Sequence, residues 1–207
     1  MGLWDVYVNP ENMSMETVPL RGAPFSTNVV GFVDSGNPIN LILDNIVVDY
    51  PGDNTHVNLD VGLRHPFPGL GMYTGFDVMG VFMGDAGGTI PGTSPGIQDD
   101  TVQRVNNPDG FTRWFNCPEF KSAGESLALL GFTPGKLGTP GFAPGAELNP
   151  YKYFCDGLDK DGSAFAYLFA HPDDRGKFSP GSTNYCNYDL TFPGTNNIIF
   201  QYAVVAH

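Results

Sequence analysis

The acidic run CDGLDKDGSAF, Cys155 to Phe165, sets Asp156, Asp159 and Asp161 around Gly162, with Ser163 beside them. Carboxylate and hydroxyl oxygens are hard donors, and calcium takes such donors from flexible loops. The expectation is a calcium site held by Asp156, Asp159 and Asp161. The spacing is not that of an EF-hand. With Gly162 set as the loop glycine, Gly157 falls at the first ligand position and Leu168 where the bidentate glutamate belongs. The competing reading is a solvated turn, in which aspartates initiate turns or take left-handed backbone.

Other stretches fail as catalytic signatures. GTSPG, Gly92 to Gly96, matches G-x-S-x-G in letters only. That elbow needs a strand before the serine, a helix after it, and an N–H on the following residue. Here that residue is Pro95, which has no N–H, and the flanks read as loop. GLGMYTG, Gly69 to Gly75, misses the spacing of a dinucleotide loop and joins two strand-like runs rather than opening a helix. AHPDDRGKF offers His171, Asp173, Asp174 and Arg175, but its prolines and glycines read as an exposed loop with a local Asp–Arg pair. His56, His65 and His207 share no metal-ligand spacing. The sequence predicts no enzyme.

Aromatic residues offer a second kind of chemistry. Trp114, Phe115, Tyr151, Tyr153 and Phe154 could form a platform for a sugar or a neighbouring protein. The same rings could instead fasten a Gly/Pro-rich excursion to a sheet. Three cysteines, Cys117, Cys155 and Cys186, lie too far apart for a zinc signature. One disulfide with one remaining thiol, or three buried thiols, both fit this count. In CNYDLTF the alternation puts Cys186, Tyr188, Leu190 and Phe192 on one face, so Cys186 should point inward.

The elements that must carry these residues are short strands. Among 207 residues, 27 are Gly and 18 are Pro, only 15% are charged and 13% are aromatic. The aromatics give apolar area to bury, and the Gly and Pro give many turns, so the fold class is all-β. The net charge is −12. A phosphate backbone or an anionic membrane surface would be repelled, so no nucleic-acid partner is expected. No apolar run reaches the roughly 18 residues of a membrane span. The opening MGLWDVYV lacks the regions of a signal peptide, and NIIFQYAVVAH is still strand-like where it stops. The expectation is a piece of a longer chain.

Strand patterns fall into two blocks. LWDVYVN and METVPLR flank PENMS as a hairpin, and Pro19 places the second strand at a sheet edge. FSTNVVGFV, INLILD and NIVVDY follow. HVNLDVGL alternates Val57, Leu59, Val61 and Leu63 inward, as a half-buried antiparallel strand does. FDVMGVFM comes next, after the corner RHPFPGLGMYTG. There Pro66 and Pro68 stop the ladder, Gly69 and Gly71 permit the reversal, and Phe67 and Phe76 are expected to pack the corner into the core. The second block is YCNYDLTF, a PGTNN turn and IIFQYAVVA. Between the blocks, residues 84–183 read as an irregular insertion. GESLALLGF is a candidate helix there, and SAFAYLFA is ambiguous between strand and helical turn.

RHPFPGLGMYTGFDVMGVFM, DGFTRWFNCPEF, LLGFTPGKLGTPG and LNPYKYFCDGL, in that order, resemble a family of uncharacterised secreted or lipid-anchored bacterial proteins. The resemblance spans most of the chain. It implies an extracytoplasmic address and a β-rich fold, and it implies no activity. Cys117 and Cys155 depart from the family's pattern.

The combined expectation is one domain over 1–207. It is an antiparallel β-sandwich with an insertion at about 84–183 that carries little or short helical structure. The expected function is a non-catalytic extracellular or cell-surface module that self-associates or joins another surface protein, as in a surface layer, sheath or filament. The alternative is a glycan- or ligand-binding module using Trp114, Phe115, Tyr151 and Tyr153.

Overall fold

The computed structural model describes residues 2–22, 41–65, 67–69, 71–85, 105–112, 132–134, 149–173, 176–194 and 198–206. Two antiparallel sheets face each other across a shared core. The larger has seven strands: β1 (Gly2–Asn9), β2 (Ser14–Gly22), β6 (Val78–Asp85), β7 (Gly110–Thr112), β8 (Phe132–Pro134), β9 (Asn149–Phe154) and β12 (Ile198–Val205). Their order across the sheet is β2-β1-β12-β6-β9-β7-β8. The smaller sheet has three strands, β3 (Leu41–Asp49), β4 (Asn54–Arg64) and β11 (Thr183–Pro193), in the order β11-β4-β3. The all-β antiparallel expectation holds, and Pro19 does lie on an edge strand, β2.

Alternation builds the interface between the sheets. Val57, Leu59, Val61 and Leu63 of β4 and Cys186, Tyr188, Leu190 and Phe192 of β11 point into the core. They meet Val6 and Val8 of β1, Val78 and Phe82 of β6, Phe154 of β9, and Phe200 and Tyr202 of β12. β4 and β11 pair without a break from Asn54↔Pro193 to Arg64↔Thr183. A slip by one residue would turn every inward side chain of either strand to the other face. Two tyrosine hydroxyls between the sheets are hydrogen-bonded. The Tyr188 hydroxyl donates to the Gly80 carbonyl at 3.1 Å and lies 2.8 Å from the Tyr202 hydroxyl. Gly80 has no side chain for a reason: a Cβ there would stand 2.6 Å from Tyr202 Cζ and 2.8 Å from the Phe154 ring.

The proline corner carries the chain from the smaller sheet to the larger. His65, not Phe67 or Phe76, is its buried residue; both phenylalanines are half-buried and outside the core, contrary to expectation. His65 Nδ1 accepts the Phe67 N–H at 3.2 Å, so Nε2 holds the ring proton and donates it to the Tyr73 carbonyl at 2.7 Å. The ring stacks on Phe178 with centroids 5.7 Å apart. Two short strands, β5 (Gly75–Phe76) and β10 (Lys177–Phe178), pair across the corner. Asp77 then takes φ +48° before β6 begins.

The region expected to be an irregular insertion supplies structure to the sheet itself. β7, β8 and β9 all belong to the larger sheet, and β9 lies inside it between β6 and β7. SAFAYLFA resolves as a short helix, α1 (Ala164–Ala170), because the Ser163 hydroxyl caps it by accepting the Ala166 N–H. INLILD and NIVVDY merge into the single strand β3, bent at a bulge between Asp44 and Val47 where Asn45 takes φ +51°. GESLALLGF, apart from Phe132, and FSTNVVGFV lie outside the described residues.

Candidate functional site

Of the residues singled out from sequence, Trp114, Phe115, Cys117 and the GTSPG serine Ser94 lie outside the described residues. Tyr151 is buried on the outer face of the larger sheet, with Met79, Val81, Ala203 and Val205. Its ring stands edge-on to half-buried Tyr153 at 5.4 Å, so Tyr151 offers no stacking face to a sugar. Burial, then the Asp77 charge, pushes the Tyr153 hydroxyl up to about 12. Cys155 and Cys186 are both buried thiols. Cys186 points inward as expected, and its Sγ lies 2.7 Å from the Tyr153 carbonyl. Burial raises the Cys186 thiol far above its ordinary value, which suits a packed residue and not a nucleophile.

The three aspartates expected to bind calcium do different things. Asp156 receives the Ser179 N–H on one oxygen at 2.9 Å and the Asn184 amide on the other at 3.0 Å. Burial works to raise its pKa, but these donors outweigh it and hold the carboxyl below its ordinary value. Asp159 and Asp161 are exposed. Among the described residues no group of three or more His, Cys, Asp and Glu is arranged to hold a metal ion.

The two outer faces of the sandwich differ sharply. On the smaller sheet the face is largely polar and cross-linked, although Val47 of β3, opposite Asn58, is 60% exposed there. Asp60 accepts from Lys160 at 2.7 Å, from Asn45 at 2.8 Å and from Asn187 at 3.1 Å. Burial raises the Asp60 pKa, and these partners reverse that to a net lowering. The Asn107 amide donates to the Asn187 carbonyl at 3.0 Å, and the Asn107 carbonyl accepts Lys152 Nζ at 2.9 Å. Lys152 lies 3.6 Å from Asp109, and both side chains are 5% exposed. Asp109 in turn accepts the Tyr153 N–H at 2.9 Å. The network thus runs from the sheet face to a buried ion pair.

Beside it, His56 bridges Asp49 at 2.7 Å and Asp189 at 2.6 Å, joining all three strands of the sheet. Both ring nitrogens face carboxylate oxygens, an arrangement that favours the imidazolium, in which both nitrogens donate. Burial lowers its pKa, but Asp189 and then Asp49 outweigh that and raise it above the ordinary 6.5.

The larger sheet's outer face is apolar and open where β2, β1 and β12 meet. Tyr7, Val18 and Ile199 are 38%, 38% and 39% exposed, and Met13 at the hairpin is 57% exposed. Tyr7 pairs with Ile199 on one side and Glu16 on the other. A groove of about 530 Å³ runs beside them, lined in part by Tyr7, Asn9, Met15, Glu16 and Ile199. β2 is the edge of the sheet, with no strand on its outer side among the described residues. Two positions from Tyr7 on the same face, Asp5 is only 8% exposed, and its Oδ1 is shielded and accepts no hydrogen bond from the described residues. Sequence patterning revealed these residues only as the outward members of terminal strands.

These features define the class, an antiparallel all-β protein with one closed polar face and one open apolar edge. No protein-family model, curated protein or solved structure matches the chain. Among the described residues no helix is long and apolar enough to cross a membrane.

Proposed function

We propose that the chain is a non-catalytic extracellular or cell-surface module that works by protein–protein contact, through β2 and the apolar face beside it. The observation that carries this reading is the exposure of Val18, Tyr7 and Ile199 on the outer face of the three strands β2, β1 and β12, with Met13 exposed in the hairpin beside them. An edge strand presents unpaired backbone donors and acceptors, and proteins that do not use such an edge cover it, bulge it or charge it. β3, the edge of the smaller sheet, is treated that way, with its bulge and with Asp44 and Asp49 along it. β2 has a register break beside Pro19 and carries Glu16 and Arg21, and between them Val18 stays exposed on the outer face.

Contact by exchange of a terminal strand is not part of this reading. β1 and β12 pair with each other in register from Gly2↔Val204 to Val8↔Ile198, inside the larger sheet. Sheet extension at β2 needs neither strand to leave. A specific contact of this kind buries on the order of 1,000 Å² or more. Sedimentation velocity over a concentration series, alone and with candidate surface proteins, tests the reading. Association that Val18→Asp abolishes supports it; a chain that stays a monomer and binds no protein partner overturns it.

A further inference from the structure

We infer that the partner at this edge is an extended protein segment carrying a lysine or arginine among apolar residues, and that Asp5 receives that cation. The inference rests on the reading of β2 as the contact edge and deepens it.

Asp5 carries the argument. It lies on β1, on the outward face it shares with Tyr7, directly across from Val18 of β2 and Gln201 of β12. A carboxylate oxygen that is shielded and has no donor is costly, because neither water nor protein compensates it. Such groups are rare in folded proteins and call for a specific cause. Its position gives one. A strand added along β2 would lie two strand spacings from β1, roughly 10 Å. Val18, a short side chain, is the β2 residue directly across from Asp5 on that face. An extended basic side chain on the added strand can lie over Val18 and reach Asp5.

Charge selects the same occupant. The chain carries −12 overall, and Glu16 sits on β2 beside Tyr7. Arg21, opposite Leu3, lies on the other side of Val18, as near to Asp5 in register as Glu16 is. A second copy would bring its own Glu16 and Arg21 and the same net −12 to the edge, whereas a basic segment reduces the excess of acid there. Its apolar residues would cover Tyr7, Val18 and Ile199, and its backbone would pair with β2.

The test uses a short capped peptide of alternating valine and threonine with one central arginine, beside versions with leucine or glutamate at that position. Binding to the whole chain is read by calorimetry. The arginine peptide should bind at least about tenfold more tightly than the leucine peptide, since desolvated charge pairs at interfaces discriminate at this level or above. Asp5→Asn should remove that preference and leave the leucine peptide's affinity unchanged, with a melting curve confirming the fold. Equal preference in the Asp5→Asn variant would falsify the cation's placement. Binding of leucine and arginine peptides alike overturns the inference but leaves the edge reading standing. So does self-association through β2 without peptide binding. Absence of both binding and self-association overturns the two together.

Discussion

The two outer faces of this sandwich are built by opposite rules. On the smaller sheet every outward acid described above has partners: Asp60 has three donors, Asp189 meets His56 and Asn106, and Asp49 meets His56. On the larger sheet's open end, Tyr7, Val18 and Ile199 face solvent, and Asp5 keeps an oxygen without a donor among the described residues. A face whose polar groups satisfy one another gains little from a partner. A face with exposed apolar area and an uncompensated carboxylate gains on both counts. The contrast separates residues kept for folding from residues kept for contact, and substitutions can break it.

The largest expected effect lies where the polar network enters the core. Lys152→Met leaves Asp109 buried without its cation. Breaking one side of a buried ion pair costs about 3–5 kcal/mol. Burial already raises the Asp109 pKa, with Lys152 the first of the partners pulling it back. Adding Asp109→Asn to Lys152→Met should recover much of the loss. Urea midpoints of the single and double variants measure this. A Lys152→Met variant as stable as the parent would mean that the network does not close the smaller sheet's side.

Next comes Asn187, whose amide donates to Asn58 at 2.9 Å and Asp60 at 3.1 Å. Asn187→Ala strips donors from two part-buried acceptors and should cost about 1–3 kcal/mol. A cost under about 0.5 kcal/mol, the size of an ordinary surface change, would place the polar face on the same footing as the apolar one.

Much of this architecture was legible in the chain because alternation has only one interpretation when a face is buried. Val57 to Leu63 and Cys186 to Phe192 face inward as their period of two requires, and Pro19 marked its strand as an edge. NPYKYF, inside the stretch expected to be an irregular insertion, forms an interior strand for a physical reason. Pro150 and Lys152 argue against an interior strand, yet Lys152 is buried because Asn107 and Asp109, far away in sequence, supply its partners. The bulge at Asn45 split one strand into two apparent ones. His65 stood out in the sequence only as a histidine without metal-ligand spacing, and the Tyr73 carbonyl and the Phe178 ring explain its burial. The candidate contact site was the least legible part. Asp5 alternates with apolar residues exactly as a solvated acid would, and no local pattern reveals that its oxygen lacks a donor.

A smaller effect is tied to pH. His56 has a folded pKa above its ordinary 6.5, because Asp189 and Asp49 outweigh its burial. The stability it contributes is therefore complete below pH 6.5 and is lost as pH rises through the folded value. Exposed pairs of this kind contribute about 0.2–1 kcal/mol. Parent and His56→Gln unfolding midpoints should differ most near pH 6 and converge at alkaline pH. A gap that widens with rising pH would show that the ring is held neutral.

The smallest effect on folding is expected on the open face, and its smallness is the point. Ile199 is 39% exposed and pairs with Tyr7 on the outer face of the larger sheet. Ile199→Thr keeps the β-branch that strands favour and changes only the outward surface. Stability should move by no more than about 0.5 kcal/mol, as for surface positions without special roles. Association through β2 should weaken far more, because the same methyl groups become buried only in the complex, where each buried CH₂ contributes about 0.8 kcal/mol. Paired measurements of unfolding midpoint and association constant on one variant separate the two roles. If Ile199→Thr lowers stability by as much as Asn187→Ala does, the apolar face belongs to the fold and not to a partner. If it lowers neither quantity, the contact lies elsewhere on the molecule.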